Sequence, residues 1–238
     1  MKVEVCFSPA LYPYYAGDGD KVVVVVDIFR ASTTMCAAFG NGVQSIIPVA
    51  SIEEAQEYKK EGFLVGAERN VKRCDFADFG NSPFDYTREK VEGKDIVFTT
   101  TNGTQAINIA SDCYSLIIGA FSNIQAIADY CIDKQKDVII LCAGWNNRFN
   151  LEDTLYGGAL AKLLIDKGSY ISDSDATNVA LLMWKEAEPN IKQYVGQAEH
   201  MKRLEANNLH DSVDYCLTLN TVNLVPLYNK NTGKLTLA

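Results

Sequence analysis

The sequence predicts an α/β protein, in which helices cover a sheet, and three observations support this fold class. Strand-like and helix-like patterns alternate along the 238 residues, with no low-complexity linker between them. The run Val22–Val26 contains only valines, which is typical of a strand buried on both faces of a parallel sheet. The pattern that starts there (strand, polar turn, helix, strand, helix) recurs from Ile96 onward. This echo indicates either an internal duplication or the ordinary regularity of an α/β protein.

Each predicted element has a local signal of its own. The first strand, 22–26, stops at Asp27, and the helical composition of 32–39 ends in the turn Gly-Asn-Gly at 40–42. A second strand at 45–49 leads into a charged helix at 52–60, for which Ser51 is the predicted N-cap. Further strands are predicted at 63–65, 95–99, 115–118 and 137–141, and further helices at 104–110, 123–134, 155–166 and 176–186.

Composition and charge exclude several classes of protein. Apolar residues make up 47% and charged residues 22%, which excludes wholesale disorder, and no apolar run approaches the ~20 residues of a membrane span. Thirty acidic residues against 22 basic ones give a net charge of −8, which argues against nucleic acid or an anionic membrane as the partner. A small anionic ligand stays compatible with that charge, because a few local donors or a bound cation reverse the potential inside one cleft.

Cysteine usage and the first residues predict a cytoplasmic protein. The seven cysteines include no C-x-x-C pair, and the start of the chain lacks the apolar stretch of a signal peptide, so buried free thiols are expected. The two histidines, His200 and His210, exclude a His-rich metal centre. The length fits one domain over 1–238, with a candidate subdivision near 168–172, and a homodimer is left open.

The most informative segment is 27–34, Asp-Ile-Phe-Arg-Ala-Ser-Thr-Thr. Asp27 directly follows a buried strand, so it lies at the carboxyl end of the sheet, where it would hold a cation or attack a phosphorus atom. Arg30 and three hydroxyls follow where a helix begins, and free N–H groups there suit a phosphate or sulfonate. The alternative is that Ser32 and Thr33 only cap the helix while Arg30 pairs with a surface acid. A haloacid-dehalogenase type of phosphatase is disfavoured, because Phe29 stands where that class has a second aspartate.

The segment 99–104, Thr-Thr-Thr-Asn-Gly-Thr, repeats this theme after the strand at 95–99. Its hydroxyls, the amide of Asn102 and the permissive Gly103 favour close approach of the backbone to an anion, although a plain Asn-Gly turn has a similar composition. If the repeat is real, Arg30 and Asn102 occupy matching places, their strands are neighbours and their turns face one cleft. The segment 80–83, Gly-Asn-Ser-Pro, has by itself only the composition of a turn.

Acidic side chains supply candidates for a cation site. Glu68 and the pair Glu152-Asp153 could join Asp27, and an all-oxygen set with almost no histidine suits Mg²⁺. For Glu152-Asp153 the alternative is that acids in the first turn of a helix complement the helix dipole, and composition favours that alternative for at least one of them.

Five segments together resemble a known family. They are 27–34, 80–83, 99–104, Cys-Ala-Gly at 142–144 and Leu-Glu-Asp-Thr at 151–154. Their order and spacing over residues 20–226 are similar to those of the 2-phosphosulfolactate phosphatases, ComB-like enzymes that use Mg²⁺. The resemblance implies a three-layer α/β/α fold with a mixed, largely parallel sheet. It also implies hydrolysis of (R)-2-phospho-3-sulfolactate to 3-sulfolactate and phosphate, a step in coenzyme M biosynthesis, or of other phosphorylated 2-hydroxy acids.

The resemblance and the residue chemistry together assign roles to particular side chains. Asp27 is expected to be a metal ligand or nucleophile, with Glu68 and Asp153 as further ligands of Mg²⁺. Arg30 is expected to act at the reacting phosphate, and His200 is a candidate proton donor for the leaving alkoxide, unless it lies on a polar helix surface. Substrate binding is predicted for Arg30, Ser32, Thr33, Asn81, Ser82, Thr100, Thr101, Asn102, Gly103, Thr104 and Arg148.

The competing function is a non-catalytic protein that binds a small sulfonate or phosphate. Departures from the family pattern, such as Asn70 in place of a glycine and the broad turn Trp145-Asn146-Asn147, bear on the identity of the substrate more than on the fold. The expected partner is a small anion under both hypotheses, and for the enzyme it is a small phosphate ester.

Overall fold

Ten strands form one mixed sheet in the computed structural model, which describes residues 1–238. The strands are β1 (Val3–Cys6), β2 (Lys21–Val26), β3 (Ser45–Pro48), β4 (Leu64–Arg69), β5 (Lys72–Arg73), β6 (Asp95–Thr99), β7 (Ser115–Gly119), β8 (Asp137–Cys142), β9 (Pro226–Asn229) and β10 (Lys234–Leu237). Across the sheet they follow the order β1-β8-β2-β7-β9-β10-β3-β6-β4-β5.

Helices connect these strands and cover the sheet. They are α1 (Ala31–Gly40), α2 (Ile52–Lys60), α3 (Arg88–Val91), α4 (Gly103–Ile109), α5 (Ile124–Lys134), α6 (Leu151–Gly168), α7 (Asp175–Ala187), α8 (Ile191–Val195), α9 (Glu199–Ala206) and α10 (Val213–Leu217). The predicted three-layer α/β/α class is confirmed. None of the helices combines the length and the apolarity that a crossing of a lipid bilayer requires.

The sheet consists of two parallel blocks joined by a hairpin. One block is β1, β8, β2 and β7, and the other is β3, β6 and β4. The hairpin β9–β10 lies between them and pairs antiparallel with β7 on one side and with β3 on the other. Three successive antiparallel pairings reverse the direction of the strands, so the two blocks run in opposite directions.

The two copies of the sequence repeat occupy equivalent places in this sheet. The first copy contains β2, α1, β3 and α2, and the second contains β6, α4, β7 and α5. On one side of the hairpin the order is β8-β2-β7, and on the other it is β4-β6-β3, which is the arrangement of a pseudo-twofold axis through the hairpin. The prediction that β2 and β6 are neighbours is wrong, because each copy starts in one block and crosses into the other.

The two blocks share a core. Val23 and Val25 of β2 belong to the same apolar cluster as Ile96 and Phe98 of β6, and α4 contacts both strands. The alternate valines of β2, such as Val24, face a second cluster that includes residues of α5, α6 and α7. Because α4 is held between strands from opposite blocks, the carboxyl ends of β2 and β6 come together although the sheet order separates them.

Most predicted elements are confirmed to within a few residues. The helix at 52–60 has the predicted bounds, and the Ser51 hydroxyl accepts a hydrogen bond from the N–H of Glu54 at 3.1 Å, as expected of its N-cap. The strand predicted at 63–65 extends to Arg69, which places Glu68 inside it. Residues on both sides of 168–172, for example Leu164 and Trp184, share one apolar cluster.

Candidate active site

A narrow cleft lies where α1 and α4 begin. Arg30 is the N-cap of α1, and Asn102 is the N-cap of α4. A Cβ atom on Gly103 would lie 2.8 Å from the Ala31 Cβ atom and 3.0 Å from Asp27 Oδ2, so only glycine permits the two helix starts to approach this closely. The two polar turns therefore face one cleft.

The polar wall of this cleft brings together side chains from five parts of the chain. They are Asp27, Arg30, Glu68, Asn81, Asn102 and His200. None of the six is more than 7% exposed. Two carboxylates, a guanidinium, an imidazole and two amides are thus held in a site largely removed from bulk water, where electrostatic interactions are strong.

Asp27 is held by the turn that follows β2. Its backbone N–H donates to Ser32 Oγ at 3.1 Å, and that hydroxyl donates to the Asp27 carbonyl at 2.9 Å. The N–H of Ala31 donates to Asp27 Oδ1 at 3.4 Å, whereas Oδ2 has no hydrogen-bond partner in the protein. The pKa of Asp27 is raised to about 6, mainly by burial; His200 opposes this rise and Glu68 adds to it. The carboxyl group is consequently poised to bind a cation or exchange a proton near neutral pH.

Glu68 is fixed by the hairpin between β4 and β5. Its Oε1 accepts hydrogen bonds from the N–H of Val71 and from the Thr101 hydroxyl, the latter at 3.3 Å. Asn70 and Val71, the two central residues of this turn, have φ values of 52° and 65°, which is uncommon for residues other than glycine. The Glu68 carboxylate is thereby tied to the turn after β6 and keeps one oxygen free toward the cleft.

Arg30, Asn81 and Asn102 provide the groups that an anion or a cation would contact. The Arg30 side chain donates through Nη1 to Ser212 Oγ at 3.4 Å, and its other nitrogens have no protein partner; the peptide bond before it is cis. Asn81 Oδ1 is buried without a hydrogen-bond partner. Asn102 Oδ1 accepts from the N–H of Asn146 at 3.0 Å.

Asp153 lies behind the cleft rather than on its wall. Its two carboxylate oxygens accept from the N–H groups of Ile28 and Gly144, at 2.9 and 3.0 Å. Burial, together with the neighbouring charge of Glu152, raises the pKa of Asp153 well above its usual range. Asp27, Glu68 and Asp153 do not form a cluster of three metal-binding side chains. Each Asp153 oxygen accepts one backbone hydrogen bond, so in the structure Asp153 braces the turns after β2 and β8, and its role as a metal ligand stays a prediction.

His200 is buried and paired. Its Nδ1 lies 2.7 Å from Glu152 Oε1, and the two residues are 5% and 1% exposed. The ring lies edge-on to Phe29 and tilted against Trp145, with 5.8 and 5.9 Å between ring centroids. The alternative of a histidine on a polar helix surface is therefore wrong. Residue chemistry missed Glu152 as a partner, because a first-turn acid is normally satisfied by the helix dipole.

The remaining residues that were predicted to bind substrate either form turns or lie outside the cleft. The hydroxyls of Thr33 and Thr104 donate to the carbonyls of Ile28 and Thr100, at 3.0 and 3.1 Å, and like Ser32 they close their own turns instead of lining the cleft. Ser82 is half-buried and precedes a short 3-10 helix at 83–85.

Two further predicted residues differ sharply in their exposure. The Thr100 hydroxyl is buried without a partner beside Gly103. Arg148 is exposed and lines an adjoining cavity of about 340 Å³. Trp145 and His200 line both spaces and so form the wall between the inner cleft and this outer cavity.

Chemistry on a phosphate ester needs groups that bind an anion beside an ionisable side chain. The two helix starts and the guanidinium can bind the anion, and the ionisable aspartate lies beside them. The fold and the cleft accordingly fit a phosphoric monoester hydrolase, the class to which the protein's relatives belong. Comparison with known proteins narrows this class, since the model of the 2-phosphosulpholactate phosphatase family matches residues 6–231. The chain belongs to that family.

Curated relatives are similar over nearly their whole length. A Clostridium beijerinckii protein named probable 2-phosphosulfolactate phosphatase is 34% identical over 221 residues, which cover 91% of this chain and 92% of the relative. Proteins of the same name from Caldanaerobacter subterraneus and Thermotoga maritima are 36% identical over 211 residues and 38% identical over 207 residues. These alignments cover 87% of this chain in both cases, and 87% and 88% of the two relatives.

Proposed function

We propose that the protein hydrolyses 2-phosphosulfolactate, the ester in its relatives' names, to 3-sulfolactate and phosphate, in a Mg²⁺-dependent reaction that serves coenzyme M biosynthesis. The observation that carries this proposal is the meeting of two helix starts and the Arg30 guanidinium around the buried Asp27. Seven free cysteines favour a reducing compartment, so we place the reaction in the cytoplasm.

The two spaces separated by Trp145 and His200 suit the two ends of such a substrate. In the inner cleft, the free nitrogens of Arg30 and the start of α4 at Gly103 receive the phosphate. In the outer cavity, the exposed Arg148 is available to the sulfonate or carboxylate end. An acidic protein binds this anion because the positive groups are concentrated at these two points.

The donor set of the inner cleft fits Mg²⁺. Asp27 Oδ2 has no protein partner, Glu68 keeps one oxygen free, and Asn81 Oδ1 is a buried acceptor without a donor. Such an all-oxygen set is what Mg²⁺ prefers, and these three residues would hold it. When bound, the ion supplies polarisation of the phosphoryl oxygens and neutralises charge. Asp153 would act from behind, by fixing the Asp27 turn through the N–H of Ile28.

The protein side chains then divide the remaining work. Arg30 orients the phosphate and stabilises its charge in the transition state. Asp27 acts at the reacting end, as metal ligand or as nucleophile. His200 holds a proton for the leaving alkoxide oxygen at its cleft-facing nitrogen.

The test is a phosphate-release assay on phosphorylated 2-hydroxy acids, run with chelator, Mg²⁺ or Ca²⁺. We expect release that requires Mg²⁺, is highest with 2-phosphosulfolactate and is poorly supported by Ca²⁺, which accepts looser geometry at longer distances. Glu68→Gln should raise the Mg²⁺ concentration needed, while Glu89→Gln, on the exposed helix α3, should leave it unchanged. Full activity in chelator would overturn the Mg²⁺ proposal. Tight binding of the ester without turnover would favour the competing binding protein.

A further inference from the structure

Glu152 forms a buried hydrogen bond with His200, and none of the roles assigned so far includes Glu152. We propose that Glu152 is a positioning residue: its carboxylate keeps one proton on Nδ1 of His200 and so turns Nε2 toward the leaving oxygen, to which the ring delivers its second proton. This inference rests on the proposed function. It adds that α6 and α9, which supply the pair, bear directly on the chemistry of the cleft between α1 and α4.

The geometry decides which ring nitrogen faces the substrate. The Nδ1–Oε1 distance of 2.7 Å is that of a strong hydrogen bond, and an ionised carboxylate can only accept, so Nδ1 carries the proton. Nε2 has no hydrogen-bond partner in the protein and is not fully buried. The ring lines the cleft that contains Asp27 and Arg30. Nε2 is therefore the nitrogen open to a ligand.

A guanidinium lies near the Glu152 carboxylate. Arg203 lies 4.3 Å over the Trp145 ring, and its charge interacts with that of Glu152. Arg203 Nε and Nη2 and Glu152 Oε2 are all buried without a hydrogen-bond partner. The guanidinium, which also pairs with Glu199 at 3.6 Å, places positive charge near a buried carboxylate whose only direct partner is an imidazole.

Packing alone would not select this orientation. Phe29 and Trp145 contact the ring of His200 at 5.8 and 5.9 Å between centroids and confine its plane. Neither aromatic ring fixes which edge of the imidazole carries Nδ1, because a ring flip exchanges Nδ1 with Cδ2 and Nε2 with Cε1, which are positions of similar shape. The carboxylate of Glu152 is the group that breaks this symmetry.

The proton balance of the step is complete. His200 enters the step as an imidazolium, with the Nδ1 proton held by Glu152 and a second proton on Nε2. The bond between phosphorus and the ester oxygen breaks, its electron pair stays on the leaving oxygen, and that oxygen takes the Nε2 proton, which leaves the neutral ring protonated at Nδ1. Water supplies the new oxygen on phosphorus. One proton of that water stays with the released phosphate, and the other restores Nε2.

Two measurements test the assignment with Glu152→Gln, which keeps the shape but removes the charge. The first is nitrogen-15 NMR of the two histidines, His200 and His210, with His210→Gln to assign the signals. We expect the neutral His200 ring to carry its proton on Nδ1 in the wild type and to lose this preference in Glu152→Gln. The proposal would be overturned if the tautomer were unchanged in the variant, or if the neutral ring of the wild type carried its proton on Nε2. Neither outcome depends on whether the enzyme turns over.

The second measurement compares leaving groups. A 4-nitrophenolate leaves without a proton, whereas the alkoxide of 2-phosphosulfolactate needs one. Glu152→Gln should therefore lose on the order of 100-fold in kcat with the alkyl ester and less than about threefold with 4-nitrophenyl phosphate, as His200→Gln should. Glu205→Gln, an exposed acid on α9, is the matched control and should change neither. Equal losses on both esters would show a structural role and overturn the proposal while the phosphatase function stands. Absence of phosphate release in the wild type would instead refute the function.

Discussion

Replacing Asp27 with asparagine is expected to abolish turnover and, in the absence of metal, to stabilise the fold. Burial shifts the pKa of this carboxyl from 3.8 to about 6, which at about 1.4 kcal/mol per pKa unit corresponds to about 3 kcal/mol. The folded state retains a proton that the unfolded state releases, so stability is lost as pH rises through the window from 3.8 to about 6. Asparagine does not titrate, so the variant does not lose this stability as the pH rises.

The assay is urea unfolding of both proteins in chelator at pH 4.0 and pH 7.5. The variant should be more stable by about 3 kcal/mol at the higher pH, or roughly 6–12 °C in Tm for a chain of this size, and by under about 1 kcal/mol at the lower. Asp214→Asn, which removes an exposed ion pair with Lys192, is the control and should stay within about 0.5 kcal/mol at both. Added Mg²⁺ should stabilise the wild type and not Asp27→Asn. A variant that is less stable at pH 7.5, or equally stabilised at both pH values, would refute the reasoning.

Three further predictions concern the turns and one helix end. Arg30→Ala and Asn102→Ala should each lower kcat/KM, and their double-mutant cycle should show a coupling of about 0.5–3 kcal/mol, since both face one cleft; simple additivity would contradict this. Gly103→Ala should lower kcat/KM with little loss of secondary structure by circular dichroism, because its Cβ would lie 3.0 Å from Asp27 Oδ2; wild-type kinetics would show that the helix starts move apart freely. Gln135 is exposed at the end of α5 and has a φ of 51°, so Gln135→Gly should raise the free energy of unfolding in urea by about 0.5–1 kcal/mol. Lys134→Gly, inside the helix, should lower it by about 1 kcal/mol.

Local signals were sufficient for most of the fold. The valine run of β2, the N-cap Ser51 and the polar turn at Asp27 are features of a few adjacent residues, and each appears in the structure where the sequence predicted it. The short strands β1, β9 and β10 were missed, because four residues contain too little pattern to stand out from a loop. Their existence depends on partners far along the chain.

The candidate site shows the same division between local and distant information. The approach of Arg30 and Asn102 was predicted from the repeat, which put both residues just after a strand, although the premise that β2 and β6 are neighbours was wrong. The pairing of Glu152 with His200 was not, since 48 residues separate them and no periodicity links a helix start to a later helix. The residue type of Asp153 suits a metal, but nothing in the sequence indicated that its oxygens accept from the N–H groups of Ile28, 125 residues away, and of Gly144, nine residues away.

The hairpin β9–β10 gives this chain a distinctive folding problem. Leu235 pairs with Ile46 and Tyr228 pairs with Leu116, so residues late in the sequence fill the middle of the sheet between strands formed from much earlier ones. Closing such long loops is slow, because non-local contacts are rewarded only after the chain entropy has been lost. Until the hairpin inserts, β3 and β7 each present an open edge, which is a template for pairing with another chain. Refolding yield should therefore fall steeply with protein concentration, and a chain cut before Pro226 should aggregate rather than form a smaller stable fold.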